Sequence, residues 1–317
     1  LFALSFITNL FQFYVVMLIS ALGIGAAGGQ VGMAAVATWF DKKRSRALSI
    51  MTVGGGISGA LVFFVAWLVE LYGWRTAVQI LSIYYIIIGL FFALNIRSRP
   101  QDHHQPMDGI PKMHFEEEEN QILGMSSKDA LKTRGFWSIA FGTSFCLFAG
   151  VPIILLTIPF LESLGYSKTL ASIAMIAFTV STVVGRLGSG YLADKYGNKL
   201  ILTIGYLLVS IGTIGLFFAN DIYVTMIFLF ICGPGFGASI PIRASIIAEY
   251  FGTINFGTIN GFCVFVSTLG AVIGPWIVGK MVDVTGDYSY GWLVAGLAAF
   301  LAVPALIFAE KPSQMIK

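Results

Sequence analysis

Charge is the first thing this chain lacks. Lysine, arginine, aspartate and glutamate make up 11% of its 317 residues, against about 25% in soluble globular domains. So little charge excludes a soluble fold as the body of the molecule. Histidine is almost missing as well: His103, His104 and His114 share one loop, so no histidine base or histidine-ligated metal can lie in the apolar part. Met107 and the acidic run Glu116 to Glu119 are nearby, but their spacing is too loose for zinc. That loop reads as solvated, with no metal and no cofactor implied. Cysteine is scarce too. Cys146, Cys232 and Cys263 lie in apolar stretches at unrelated spacings, which gives neither a disulfide framework nor a metal site. The basic residues form no stripe, so nucleic acid is not an expected partner. No ATP-binding loop is present, which leaves gradients as the energy source. No acidic residue lies deep in any apolar run.

What is there is oil. Hydrophobic residues are 57% of the chain and mean hydropathy is +0.84. A helix needs about 20 apolar residues to span a bilayer. Nine stretches qualify: 15–38, 46–69, 75–95, 137–160, 169–191, 200–219, 222–247, 256–279 and 290–309. A tenth, Leu1 to Leu10, is too short and reads as the tail of a longer helix. The fold class is therefore all-α, a polytopic membrane protein with the lipid bilayer as its solvent.

Orientation follows from the basic residues. With 39–45 placed in the cytoplasm and sides alternating, the cytoplasmic segments hold Lys42, Lys43, Arg44, Arg46, Arg97, Arg99, Lys112, Lys128, Lys132, Arg134, Lys195, Lys199, Lys311 and Lys317. The external ones hold only Arg75, Lys168 and Lys280. The long segment Asn95 to Arg134 reads as a cytoplasmic linker, and the C-terminus falls on the same side. The linker ends in SSKDALKTRGFW, read as a short amphipathic helix whose Lys128, Lys132 and Arg134 meet anionic headgroups.

The chain repeats itself. Trp39-Phe40 matches Tyr250-Phe251 at an offset of 211, Gly59 matches Gly270 at the same offset, and Gly73-Trp74 matches Gly291-Trp292. Two parallel halves joined by a linker is one of the repeat plans of transporters. The expected organisation is a helical bundle at 1–95, a linker at 96–135 and a six-helix bundle at 136–317. The first bundle is incomplete, by roughly two and a half helices before Leu1 if the halves match.

The stretch 171–199, ASIAMIAFTVSTVVGRLGSGYLADKYGNK, carries Arg186 inside a membrane helix, where a charge is read as functional by default. At 100° per residue Ser172, Met175, Thr179, Thr182 and Arg186 share an arc of about 80°. This polar stripe is expected to face protein or water and to wall a solute path.

Residues 190–202, GYLADKYGNKLIL, resemble the loop pattern G-x-L-a-D-r-x-G-r-k of the major facilitator superfamily. In it Gly190 and Gly197 permit close approach and a tight turn. Asp194 can face the N-terminus of a neighbouring helix, and Lys195 and Lys199 anchor the inner side. The resemblance implies a major facilitator fold of two pseudo-symmetric six-helix bundles in the plasma membrane. WFDKKRSRALSIMTVGGGISG at 39–59 resembles the signature of the monocarboxylate transporters and their oxalate/formate antiporter relatives, as do YGWR at 72–75 and DALKTRGFW at 129–137.

That narrower resemblance implies a carrier of small organic anions with H+ as a candidate coupling ion. It places Arg186 in the cavity against the substrate carboxylate, which a guanidinium fork suits. The other reading is snorkelling, since Arg186 lies about 12 Å in from Asp194 at 1.5 Å per residue. Thr182 stands where animal members carry an aspartate, and 256–279 lacks the lysine of oxalate exchangers. The first departure counts against proton coupling through a carboxylate–arginine pair, the second favours a monocarboxylate over a dicarboxylate, and the lack of deep acidic residues tilts toward anion exchange or facilitated transport.

Arg243 either lines the cavity, pairs with Glu249 or snorkels. Gln30 and Asn260 either line the path or bond between helices. Gly23-x-Gly25-x-x-Gly28 matches a dinucleotide fingerprint only formally, since no strand precedes it. Gly25/Gly29 and Gly28/Gly32 are spacings that let helices touch. So are Gly270, Gly274 and Gly279, with a kink expected at Pro275. The rival readings are a membrane-bound enzyme, which the confinement of histidine to the linker argues against, a membrane receptor that binds without flux, and a carrier of neutral or cationic solutes.

Overall fold

The computed structural model describes residues 1–27, 29–95, 100, 107–109 and 124–312, without the side chains of 26, 27 and 57–63. Gly28, Arg97, Arg99, Lys112, Lys317, the three histidines and the run Glu116 to Glu119 lie outside the described residues.

Among the described residues the chain is helical, with eight helices long and apolar enough to cross a membrane. Phe2–Phe6 form a 3-10 turn. Asn9 then starts α1 (Leu10–Ala27): its Oδ1 accepts from the Gln12 N–H at 2.9 Å, while Gln12 Oε1 accepts from the Thr8 N–H at 2.9 Å. This reciprocal cap fixes the helix start five residues earlier than hydropathy alone suggests. With α2 (Gly29–Trp39) it makes one candidate span.

Helix α3 (Arg44–Asn95) runs 52 residues. At 1.5 Å per residue that is roughly 78 Å, too long for one crossing of a core about 30 Å thick. Gly73 divides it, at φ 75° and ψ 158°, a conformation glycine adopts at little cost. The expected spans 46–69 and 75–95 are therefore the two parts of one element, with a single residue where a loop is expected. The later part reads as an apolar span, Phe64–Asn95.

A one-turn helix, α4 (Ser127–Ala130), ends the linker. It is shorter than the amphipathic helix expected there, because α5 (Arg134–Ser163) begins at Thr133, whose Oγ1 accepts from the Phe136 N–H. Then follow α6 (Lys168–Tyr196), α7 (Asn198–Gly215), α8 (Ile222–Phe251), α9 (Phe256–Thr285), α10 (Ser289–Phe300) and α11 (Ala302–Ile307). Pro152 and Pro159 in α5, Pro234 and Pro241 in α8 and Pro275 in α9 all sit within continuous helices.

The core lies among α5 to α11. Helix α5 packs on α9, α8 packs on both α6 and α7, and α7 packs on α10. Small residues set these distances, since apolar side chains gain little from leaving lipid and close backbone approach must hold the helices. A Cβ on Gly270 would overlap the Ser144 carbonyl, and one on Gly274 the Phe148 carbonyl. Outward faces are oily: on α6 Ile173, Ile176, Val180, Val184, Leu187 and Tyr191 are all exposed, at helical spacing. No described side chain of α1 is buried.

Candidate functional site

Helix α6 places Arg186 where α3 crosses it. The guanidinium is buried, with 7% of its residue surface exposed. Its Nη1 donates to the Thr52 carbonyl of α3, and its Nε has no hydrogen-bond partner among the described residues. Gly55 leaves the room for this: a Cβ there would stand 3.2 Å from Nη1. From behind, α8 fixes the arginine's backbone, because a Cβ on Gly237 would overlap the Thr182 carbonyl. The hydroxyls of the stripe bond within α6: Ser172 donates to Lys168 O, Thr179 to Met175 O and Thr182 to Thr179 O, at 2.7–2.8 Å. Thr182 is buried; Ser172, Met175 and Thr179 are half-buried. Self-bonded hydroxyls leave Arg186 as the group on this stripe with donors to spare.

About one and two turns along α6, the same seam with α3 is polar. Gly190 faces Ser49, and a Cβ there would overlap the serine side chain. Asp194 Oδ1 accepts from the Ser45 N–H at 3.0 Å and its Oδ2 from the Arg46 N–H at 3.2 Å, which caps the first turn of α3. Arg46 Nε stands 3.8 Å from Oδ2, within ion-pair range but too long for a hydrogen bond. A carboxylate on the positive end of a helix contributes about 0.5–2 kcal/mol.

Gly197 turns the chain at φ 94° between α6 and α7. Lys195 lies over the Tyr196 ring at 5.1 Å. Lys199 Nζ donates to Ile307 O at 2.8 Å and Ala309 O at 2.7 Å, where it caps the end of α11.

Sequence reasoning missed the rest of this end. Ser45 Oγ bonds to Asn198 Oδ1 and to Ser245 Oγ, each at 2.8 Å, and Asn198 Nδ2 donates to Glu249 Oε2 at 2.7 Å. Four helices (α3, α6, α7 and α8) meet in this network. Asn198 lies inside the 190–202 pattern and was within reach of inspection; Ser45, Ser245 and Glu249 carry no local signal. Asp108 adds a second cap, accepting from the Lys42 N–H at 2.8 Å. Burial pulls the Arg44 guanidinium below its ordinary pKa, against the opposing pull of Asp41, Asp108 and Glu249.

The structure does not bring the remaining candidates to Arg186. Arg243 is 4% exposed, and its electrostatic neighbours include Cys146, Tyr206 and Cys263, on α5, α7 and α9. Glu249 meets Asn198 instead of Arg243. Gln30 and Asn260 bond to each other between α2 and α9, while Asn260 Oδ1 stays unpartnered among the described residues.

The model of the Major Facilitator Superfamily matches residues 1–187 and 140–316. The chain is 24% identical over 341 residues to human monocarboxylate transporter 12, covering 99% of this chain and 65% of that protein. It is 26% identical over 327 residues to the membrane sensor protein UhpC of Escherichia coli, covering 95% of this chain and 73% of that one. The chain thus spans less than two thirds of the human relative's length. Among solved structures it resembles the E. coli fucose:proton symporter FucP, with a TM-score of 0.72 at 16% identity, covering 96% of this chain and 78% of that one. It also resembles the proton:xylose symporter XylE, with a TM-score of 0.67 at 17% identity, covering 88% and 67%.

Proposed function

The chain belongs to the Major Facilitator Superfamily, and from that premise we propose that it carries a small organic anion, a monocarboxylate such as lactate, pyruvate or formate, across the plasma membrane. The observation that supports this is Arg186: a buried guanidinium in a membrane helix, held by a backbone carbonyl and without a carboxylate partner among the described residues. A substrate carboxylate can take the same donors, with stronger charge-assisted bonds than a neutral carbonyl offers. The Thr52 bond then opens, so occupancy of Arg186 and closure of the α3–α6 seam compete. This is what alternating access requires of a site between two bundles, here residues 1–95 and 136–317 joined by the linker 96–135. Linker and C-terminus lie in the cytoplasm on this reading. Coupling is by symport with H+ or by anion exchange of the oxalate/formate type. Gly190, Asp194 and Gly197 hold the inner end of the seam; Thr179 and Thr182 flank the anion. Arg243, buried with its Nε unpartnered among the described residues, and the bonded pair Gln30 and Asn260 complete the proposed set of residues along the path.

The test is uptake of labelled lactate, pyruvate, formate and oxalate by the full-length protein in proteoliposomes, with and without a pH gradient. Arg186→Gln is expected to lower apparent affinity roughly ten- to hundredfold, the scale of a hydrogen bond to a charged group, with folding retained. Unchanged uptake in the variant assigns Arg186 to the seam alone. The likeness to a protein titled a membrane sensor favours a second reading: anion binding without flux, seen as ligand-induced stabilisation in a chain that moves none of the four acids.

A further inference from the structure

At the end of the molecule where α5 begins, a groove of about 550 Å³ lies between the α4–α5 corner and α11. Its rim is charged and its floor is not. Lys132, Arg134 and Glu310 line the rim, with Ser138 below them. Lys132 is already bound to Asp129, at 3.2 Å. Arg134 and Glu310 have no ion pair among the described residues, and the Ser138 hydroxyl makes no hydrogen bond among them. One free cation, one free carboxylate and one free hydroxyl therefore face the same space.

One turn further into the apolar span the wall becomes aromatic. Trp137 stacks on Phe141 with centroids 5.4 Å apart and planes 28° from parallel. The indole is anchored, since Nε1 donates to Leu131 O at 2.8 Å. Ala305 and Phe308 close the other side. Polar rim, then apolar floor, in the direction in which a membrane helix enters the bilayer, is the order of parts in a lipid.

We propose that this groove holds one phospholipid with an ethanolamine head. Its phosphate lies against Arg134, with Lys132 and Ser138 as further donors. Its ammonium donates to Glu310. The first acyl carbons lie along Trp137 and Phe141, at the level where aromatic side chains anchor to membranes. The charges select the head: phosphatidylglycerol has no cation for Glu310, and choline has no N–H to donate to it.

The test is native mass spectrometry of the full-length protein taken from equimolar phosphatidylethanolamine, phosphatidylglycerol and phosphatidylcholine. Wild type is expected to retain the ethanolamine lipid in roughly tenfold preference, the scale of one charge-assisted bond. Arg134→Glu is expected to lose that retention. Glu310→Gln is expected to bind phospholipid still, without preference between ethanolamine and choline heads. Both side chains are at an exposed surface, so folding, checked by thermal unfolding, is expected to be unchanged. Equal retention of the three lipids by wild type overturns the proposal. So does an Arg134→Glu protein that keeps the ethanolamine lipid as wild type does. A preference that survives Glu310→Gln overturns the placement of the ammonium.

Discussion

Helix α6 has two packed faces, built differently. Toward α8 it is dry and close: a Cβ on Gly185 would overlap the Pro234 backbone, and one on Gly233 would overlap Ser181, while Phe178 and Phe236 pack with centroids 6.0 Å apart. Toward α3 it is polar, through Arg186, Gly190 and Asp194. Three buried polar atoms in this seam, Arg46 Nε, Ser49 Oγ and Arg186 Nε, lack hydrogen-bond partners among the described residues. Native interiors leave few such atoms, because each costs about 1–3 kcal/mol. The first face is interlocked backbone, which cannot part without losing its contacts. The second is held by discrete, exchangeable hydrogen bonds, which suits an interface that opens and closes.

Breaking the dry face is expected to have the largest effect. Gly185→Val puts two methyls into the Pro234 backbone, which no side-chain rotation relieves. Overpacking of this kind costs about 3 kcal/mol or more, read as a Tm in detergent lower by roughly 10 °C and as loss of monodisperse protein. A normal Tm would show that α6 and α8 can slide apart freely, and the contrast between the faces would fail.

A cut in the polar seam should be milder for folding and sharper for transport. Asp194→Ala removes the acceptor for two N–H groups of α3, which costs about 1–2 kcal/mol of local stability. The fold should survive, with a Tm lower by only a few degrees, while uptake falls several-fold. Uptake and Tm falling together in proportion would make Asp194 a structural cap only. Ser245→Ala sharpens the comparison at its weakest point. It removes one of the two bonds of the Ser45 hydroxyl, worth about 1 kcal/mol or less; Tm and uptake are expected within error of wild type at the first and within about twofold at the second.

Much of this was legible in the residues. The helical content follows from apolar runs, and the turn at Gly197 from a glycine between two helical patterns. Asp194 lies at a helix N-terminus in the structure, a partner its chemistry suggested beforehand. Other features were not legible, because they depend on what crosses α6 from far away in the chain. Thr52 supplies a backbone carbonyl, and every residue has the same carbonyl, so no side chain announces it. Ser45 and Ser245 are 200 residues apart and ordinary in their local sequence. Arg243 looked equivalent to Arg186, as both are single arginines inside apolar helices, yet they point into different surroundings.

The sequence by itself determined that this chain lives in lipid, that it is built of helices, and that two of them carry an arginine at a cost a membrane protein meets only for a reason. Composition and periodicity suffice for that, because the bilayer allows few alternatives. Only the tertiary structure decided which faces meet. Helix contacts in lipid are chosen by shape and by individual hydrogen bonds rather than by hydrophobicity, and those are properties of pairs of helices, not of either sequence alone.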